Sequence, residues 1–210
     1  SHLPFSESIK NPDKVSNMLY QYVDFNLPKK MHYYLLSLWE YQRTHNGQLP
    51  PSGSLSEAEV VVNDLIRRLK EADILQEESK EEKQGAGNEE LKESPSEEEK
   101  TRDKFIRLCL GCRGKLNPMA TIFGGIVGQE VMKGCSGKYT PLNQMFHFED
   151  IKCSPINKDV NQSDMAPANN RYDGLAASLG KQLVNSLHDL NLFMVGAGAL
   201  GCELMKNFAM

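Results

Sequence analysis

The sequence predicts a helix-rich α/β fold that is incomplete at its C-terminal end. Several segments carry apolar residues at the three- and four-residue spacing of helices. Near the C-terminus, a short apolar strand at residues 191–195 leads directly into a glycine-rich turn and a further helix. One strand and one helix cannot make a layered sheet, so we expect the rest of that unit to lie beyond residue 210.

The composition is typical of a globular protein and excludes some classes of partner. Of the 210 residues, 40% are hydrophobic and 25% are charged, and the formal net charge is −4. No large basic surface and no apolar run of about 18 residues is apparent, so we expect neither nucleic acid nor membrane as a partner. Five cysteines, an odd number without an export signal, favour a reducing compartment.

Three helices are predicted in the first half of the chain. The first covers residues 31–45, with Trp39 expected in the core. Ser56 and Glu59 have the spacing of a capping box at the start of the second. One apolar face of this second helix consists of Val62, Leu65, Ile66 and Leu69. Helical spacing resumes near Thr101.

An acidic tract separates the second and third helices. Residues 76–100 contain ten Glu and four Lys, a net charge of −6 (four minus ten). Leu91 is the one aliphatic side chain larger than Ala in this tract. Because so little apolar surface cannot offset the entropy of ordering, we predict a disordered insertion. The alternative is an acidic tract that binds a partner.

A further helix is predicted from Pro118 to about Lys133, with apolar residues on nearly every side. This pattern indicates a buried helix at the centre of the core. Its interior glycines, Gly124, Gly125 and Gly128, each weaken a helix by about 1 kcal/mol relative to Ala. We therefore expect another backbone to pack closely against them.

The remaining segments alternate between predicted strands, helices and a linker. Residues 142–148 alternate in polarity as a strand does. Residues 151–170, rich in Asn, Ser, Asp and Pro, are predicted to be a linker. A helix is expected over 175–187, followed by the strand at 191–195 and a last helix over 202–210.

The motif that carries chemistry is the G-x-G-x-x-G formed by Gly196, Gly198 and Gly201. Between a strand and a helix, the first glycine permits a tight turn, the second lets a phosphate or ribose approach the backbone, and the third lets the helix pack on the strand. The N-terminus of the helix then offers free N–H groups to an anion. The alternative is a glycine turn without a ligand.

Cys109-Leu-Gly-Cys112 has the spacing of a metal or redox site. A zinc site needs two further ligands, and no suitable ones stand nearby in the sequence, while the five histidines are scattered. We interpret Cys109 as a buried helix residue and Cys112 as a loop thiol, and we predict no metal site.

Three tracts resemble the ubiquitin-activating enzymes. Residues 116–139 are similar to a helix of that family ending in a Gln-Glu-Val-Met-Lys stretch. Residues 171–174, Arg-Tyr-Asp-Gly, resemble the opening of its active adenylation domain, and residues 195–210 resemble the nucleotide-binding turn of that domain. A looser resemblance extends over residues 10–75.

The resemblance implies parts of two Rossmann-like adenylation domains. Residues 1–15 would end the first catalytic-cysteine half-domain or form a connector. Residues 16–150 would be the C-terminal part of the inactive adenylation domain, with the insertion at 76–100. Residues 151–170 would link it to the start of the active adenylation domain at 171–210.

The resemblance also implies an activity and a site. These enzymes adenylate the C-terminus of ubiquitin or a ubiquitin-like modifier with ATP and Mg²⁺, form a thioester on a cysteine, and pass the modifier to a conjugating enzyme in cytoplasm and nucleus. Gly196, Ala197, Gly198 and Gly201 would contact the nucleotide. No cysteine of this chain stands in the family's catalytic context, so no catalytic residue is assigned.

Two other functions fit parts of the sequence. The glycine turn by itself is compatible with another Rossmann enzyme that uses NAD or S-adenosylmethionine. A truncated, non-catalytic scaffold would keep only the docking half. In each case we expect the 210-residue chain by itself to be inactive in ubiquitin activation.

Overall fold

A computed structural model of the chain describes residues 4–10, 26–75, 95–149, 151–154, 156 and 161–209. Throughout those ranges the protein consists of helices and loops, and no β-strand is present. The predicted α/β, Rossmann-like class is therefore wrong for the described residues. Residues 142–148 and 191–195 have strand-like patterns, but neither pairs with a neighbouring strand in these ranges, and an extended segment becomes a sheet only by such pairing.

Three long helices form the core, and their predicted positions are confirmed. They are α2 (Leu27–Thr44), α3 (Leu55–Glu71) and α4 (Glu97–Leu110), preceded by a single turn, α1 (Phe5–Ser8). α3 packs between α2 and α4. Burying one large aliphatic or aromatic side chain contributes about 1.5–3 kcal/mol. The apolar side chains buried between the three helices include Tyr34, Leu38, Val62, Leu65, Leu69, Phe105 and Cys109.

A capping box starts α4 and not α3. Ser96 Oγ accepts a hydrogen bond from the Glu99 N–H, and a Glu99 carboxylate oxygen accepts one from the Ser96 N–H over 2.8 Å. α3 instead begins after Ser54, whose side chain makes no capping hydrogen bond. The capping box predicted at Ser56 and Glu59 is therefore wrong.

The last residues of the acidic tract are part of α4. Glu98 forms an ion pair with Lys70 of α3 at 2.8 Å, and Glu97 lies 3.9 Å from Lys30 of α2. These contacts place the acidic first turn of α4 between two basic side chains, so the disorder predicted for residues 97–100 is wrong. The prediction for residues 76–94 lies outside the described residues.

α5 (Asn117–Ser136) has the predicted extent but not the predicted burial. None of its residues is buried, and a Cβ added at Gly124, Gly125 or Gly128 would meet nothing within 4 Å. Phe123 contacts the rings of Phe146 and Phe148. These two rings cover only a small part of a helix that carries apolar residues on nearly every side. Trp39, expected in the core, is also exposed, at 45% of its surface.

Short helices follow in the segment predicted to be a linker. A 3₁₀ turn, Ile151–Cys153, precedes α6 (Gln162–Met165). Ile156 and Met165 are buried with the main core, so this segment packs against the bundle. The helix predicted over 175–187 is divided into α7 (Asp173–Leu179), α8 (Lys181–Ser186) and a 3₁₀ turn, Leu187–Asp189. The division occurs at Gly180, whose φ is +81°.

The chain then runs through a loop at residues 190–198 into α9 (Ala199–Ala209). This last helix begins before Cys202, where its start was predicted. The glycine-rich turn therefore lies at its N-terminus.

Candidate functional site

The glycine-rich turn has a backbone that requires glycine at two positions. Gly196 has a φ of +97°, a conformation that residues with a side chain rarely adopt. A Cβ on Gly201 would lie 2.3 Å from the carbonyl oxygen of Gly196. The first glycine therefore makes the turn, and the third lets the start of α9 lie against it.

Gly198 differs from the other two, because an added Cβ would meet nothing within 4 Å. Its carbonyl accepts the Cys202 N–H at 2.9 Å, at the beginning of α9. The N–H groups of the first turn of a helix have no acceptor within the helix, and the helix dipole places partial positive charge there. Open space above a glycine at such a helix end fits a phosphate held by backbone N–H groups.

Apolar side chains surround this turn and are exposed. Phe193 is 93% exposed, and Val195 and Leu200 are 86% and 82% exposed. Large apolar residues are normally covered by another surface when they occur together. In the described structure the turn is thus open beside the preceding loop and beside the start of α9.

The Arg171–Gly174 segment binds to the end of the helical core through backbone atoms. Asp173 accepts hydrogen bonds from the N–H groups of Ala168 (2.9 Å) and Asn170 (3.3 Å), and these bonds hold the pKa of its carboxyl below the usual range. The Gly174 carbonyl accepts the Lys115 N–H at 2.7 Å. A Cβ on Gly174 would lie 2.9 Å from the Lys115 Cβ.

α7 continues this docking at the end of α4. Ser178 Oγ donates to the Gly111 carbonyl at 3.3 Å, and a Cβ on Gly114 would lie only 1.5 Å from Ser178 Oγ. Sequence reasoning assigned no role to Gly111 or Gly114. A Gly-Cys-Arg-Gly sequence directly after a helix is a signal for a tight turn with a close neighbour.

Asp164 is a further residue to which the sequence analysis assigned no role. One of its carboxylate oxygens accepts the Gln182 N–H at 3.1 Å, in the first turn of α8. A Cβ at Gly180 would lie 2.3 Å from the other oxygen. Asp164 of α6 therefore caps the N-terminus of α8. This hydrogen bond joins α8 to α6.

An apolar cavity of about 510 Å³ lies between α4, α5, α7 and the 3₁₀ turn at 151–153. Arg107 at its edge is already engaged, because it donates to the carbonyl oxygens of Ile156 (2.7 Å) and Ser154 (3.2 Å). The apolar side chains that line the cavity include Met31, Leu108, Ile122, Phe148, Leu175 and Leu179.

The cysteines occupy two kinds of environment. Cys109 is buried in α4 and Cys112 is partly buried in the turn that follows, which confirms their interpretation as a helix residue and a loop thiol. Cys135 and Cys202 are exposed. Among the residues that the structure describes, no three His, Cys, Asp or Glu side chains cluster as metal ligands would. No helix in the described part of the chain has the length and apolar character needed to cross a membrane.

Comparison with known proteins identifies the relatives of this chain. Residues 1–67 match the family model described as the ubiquitin-activating enzyme E1 four-helix bundle. The chain is 35% identical to ubiquitin-activating enzyme E1 2 of Arabidopsis thaliana over 208 residues, which is 99% of this chain and 17% of that protein. It is 32% identical to ubiquitin-like modifier-activating enzyme 1 of Oryctolagus cuniculus over 206 residues, 98% of this chain and 17% of that protein.

A shorter and stronger match accompanies these. Over 100 residues, 48% of this chain and 9% of the relative, identity to ubiquitin-activating enzyme E1 1 of Triticum aestivum is 50%. The chain thus spans 17% of the length of the relatives that it matches almost from end to end. A helical family model matches the beginning of the chain, and relatives match nearly all of its length. The chain therefore belongs to the ubiquitin-activating enzyme E1 family.

Proposed function

We propose that this chain is part of an enzyme that uses ATP to activate ubiquitin or a ubiquitin-like modifier. The enzyme adenylates the C-terminus of the modifier, forms a thioester with it and transfers it to a conjugating enzyme. The turn at residues 196–201 is the observation that carries this proposal, because it combines open space over Gly198 with the N-terminus of α9. Family membership supports the choice of modifier as substrate. We propose cytoplasm and nucleus as the location.

The residues of this chain would hold and orient the nucleotide. Gly196 and Gly201 shape the turn, and Ala197 and Gly198 present backbone to a phosphate without an obstructing side chain on the Gly198 side. The partial positive charge at the start of α9 favours that phosphate. When bound with Mg²⁺, ATP supplies the adenylyl group that turns the modifier's carboxylate into a reactive acyl donor.

The isolated 210-residue chain is proposed to be inactive. An exposed helix N-terminus stabilises an anion by about 0.3–1 kcal/mol. Millimolar affinity requires about 4 kcal/mol. The difference has to come from side chains that contact the ribose and the triphosphate, and the turn offers backbone alone.

ATP–pyrophosphate exchange in the presence of ubiquitin tests this function. We expect no exchange by the 210-residue chain and exchange by a protein extended to the length of the E1 relatives. In the extended protein, Gly198→Val should reduce exchange at least about tenfold, a loss of about 1.4 kcal/mol of transition-state stabilisation. Gly124→Ala in the exposed α5 is the matched glycine control and should leave exchange unchanged.

Two results would contradict the proposal. Exchange by the 210-residue chain itself would mean that a complete site exists among residues assigned here to scaffold. Undiminished exchange by Gly198→Val in the extended protein would remove the turn from the nucleotide site.

A further inference from the structure

Two thiols meet at the end of α4. Cys109 is fully buried, whereas Cys112 is partly exposed in the next turn, and the Cys112 N–H donates to the Cys109 carbonyl at 3.1 Å. Residues three apart in such a turn have Cα atoms about 5 Å apart. A disulfide spans Cα distances of about 4.4–6.8 Å, so two cysteines at this spacing have Cα atoms within that range.

The environments of the two thiols differ in the way that thiol–disulfide exchange requires. Cys112 Sγ donates to the Pro50 carbonyl oxygen at 3.7 Å. The neighbouring Cys109 thiol lowers the pKa of Cys112, the positive charge of Arg113 acts in the same direction, and partial burial opposes both. The hydrogen bond with Cys112 and burial raise the pKa of Cys109. Cys112 is thus the thiol that ionises first, and it is also the more accessible one.

We propose that Cys109 and Cys112 form a dithiol–disulfide site that exchanges with small-molecule disulfides of the glutathione class. The Cys112 thiolate attacks one sulfur of glutathione disulfide, which forms a mixed disulfide and releases one glutathione thiolate. Cys109 then loses its proton to solvent and attacks the Cys112 sulfur, which closes the Cys109–Cys112 bond and releases the second glutathione. The protein loses two electrons and two protons, and glutathione disulfide becomes two glutathiones.

The loss of charge at Cys112 makes the second step, the attack of Cys109 on the mixed disulfide, favourable. The charge of the Cys112 thiolate is one cause of the raised pKa of Cys109, and that charge disappears once Cys112 is in the mixed disulfide. Cys109 then stands three residues before the sulfur that it attacks, and its burial screens it from competing thiols. Cys135 and Cys202 are exposed and have no such neighbour among the described cysteines.

Formation of the disulfide would weaken the contact between α7 and the end of α4. Side chains three residues apart on a helix have Cβ atoms about 5–6 Å apart, and a disulfide requires about 3.5–4.5 Å. The turn at residues 109–112 therefore has to tighten. Gly111 lies inside that turn, and its carbonyl accepts the Ser178 hydrogen bond. Tightening displaces this carbonyl and loosens the start of the segment that leads to the glycine turn.

The first test measures the disulfide in the complete 210-residue chain. The chain is equilibrated in glutathione buffers of rising oxidised fraction, quenched with acid, and alkylated before and after reduction for peptide mass spectrometry. We expect an internal Cys109–Cys112 disulfide in the wild-type chain. In Cys109→Ser the mixed disulfide on Cys112 should persist at least about tenfold longer, because the resolving thiol is missing.

Exposed Cys135 and Cys202 are controls in the same sample and should carry mixed disulfides without an internal bond. If the wild-type chain forms no Cys109–Cys112 disulfide in buffers that glutathionylate Cys135, the proposal is overturned. This measurement needs no variant, so a folding defect of Cys109→Ser cannot obscure it. It also uses no nucleotide, so its failure is distinct from failure of the proposed function.

The second test is hydrogen exchange at the docking contact. The Lys115 N–H donates to the Gly174 carbonyl, so its exchange reports whether the segment is docked. Oxidation should accelerate this exchange in the wild-type chain and leave it unchanged in Cys112→Ser. Equal exchange in the oxidised and reduced wild-type chain would overturn the coupling to α7.

Discussion

The hydroxyl of Ser178 donates to the carbonyl oxygen of Gly111 over 3.3 Å, and this bond holds α7 against the end of α4. The contact is possible because Gly114 has no Cβ, since one would lie 1.5 Å from Ser178 Oγ. With the Lys115 N–H bonded to the Gly174 carbonyl, the Arg171–Gly174 segment is fixed to the helical bundle through backbone atoms. A substitution that adds or removes atoms on either side of this contact should therefore change the free energy of unfolding strongly.

Gly114→Ala should destabilise the chain by about 1–3 kcal/mol, the usual cost of overpacking. The added Cβ would collide with the Oγ and Cβ of Ser178, which is buried. Urea unfolding monitored by circular dichroism measures the loss. Adding Ser178→Gly should recover part of it, because the double variant removes the colliding atoms. If the losses of stability from the two substitutions simply add in the double variant, the strain lies elsewhere.

Gly125→Ala in α5 should be neutral or should stabilise the chain by up to about 1 kcal/mol, the gain in helix propensity. A Cβ at this position would meet nothing within 4 Å. Even Gly125→Leu should cost little, although the sequence pattern would predict overpacking. The same urea titration compares both variants with Gly114→Ala. A cost of several kcal/mol for Gly125→Leu would mean that α5 is covered in the folded chain.

Ser96→Ala should lower the free energy of unfolding by about 1 kcal/mol, because it removes the acceptor that caps α4. Ser56→Ala is the matched control. Ser56 is exposed and stands at the predicted capping position, yet its helix begins after Ser54. Chemical denaturation of both variants should show a loss for Ser96→Ala alone. Equal losses would contradict the assignment of the cap.

Stability should fall on acidification from pH 7 to pH 5 because of His147. Burial, reinforced by the adjacent His32, lowers the pKa of His147 from its ordinary 6.5 to about 4. The two rings lie edge to face at 5.6 Å. Between these pKa values the unfolded chain binds more protons than the folded one, so stability rises with pH, by about 1–2 kcal/mol from pH 5 to pH 7.

His147→Gln should flatten this dependence in denaturation curves measured at several pH values. His188→Gln is the control, since His188 is exposed and should leave the slope as in the wild-type chain. An unchanged slope in His147→Gln would assign the acid sensitivity to another group.

The helical part of this protein could be predicted from local sequence. The apolar spacing in α2, α3 and α4 repeats with the period of a helix, and each helix satisfies its own backbone hydrogen bonds, so these elements need no distant partner to be recognised. The glycines at 196, 198 and 201 likewise identified a turn at a helix start. Family resemblance on three tracts identified the ubiquitin-activating enzymes, and the comparisons confirm this.

The tertiary structure decided which segment each element pairs with, which surface covers it and which residues approach it. The segments at 142–148 and 191–195 have the pattern of strands, but a strand exists only with a neighbour, and no pattern within one segment specifies that neighbour. α5 is apolar all round yet uncovered in the described structure, because burial depends on what packs against a helix. The close approach of Ser178 to Gly111 joins residues 67 positions apart, a distance in sequence over which local patterns carry no information.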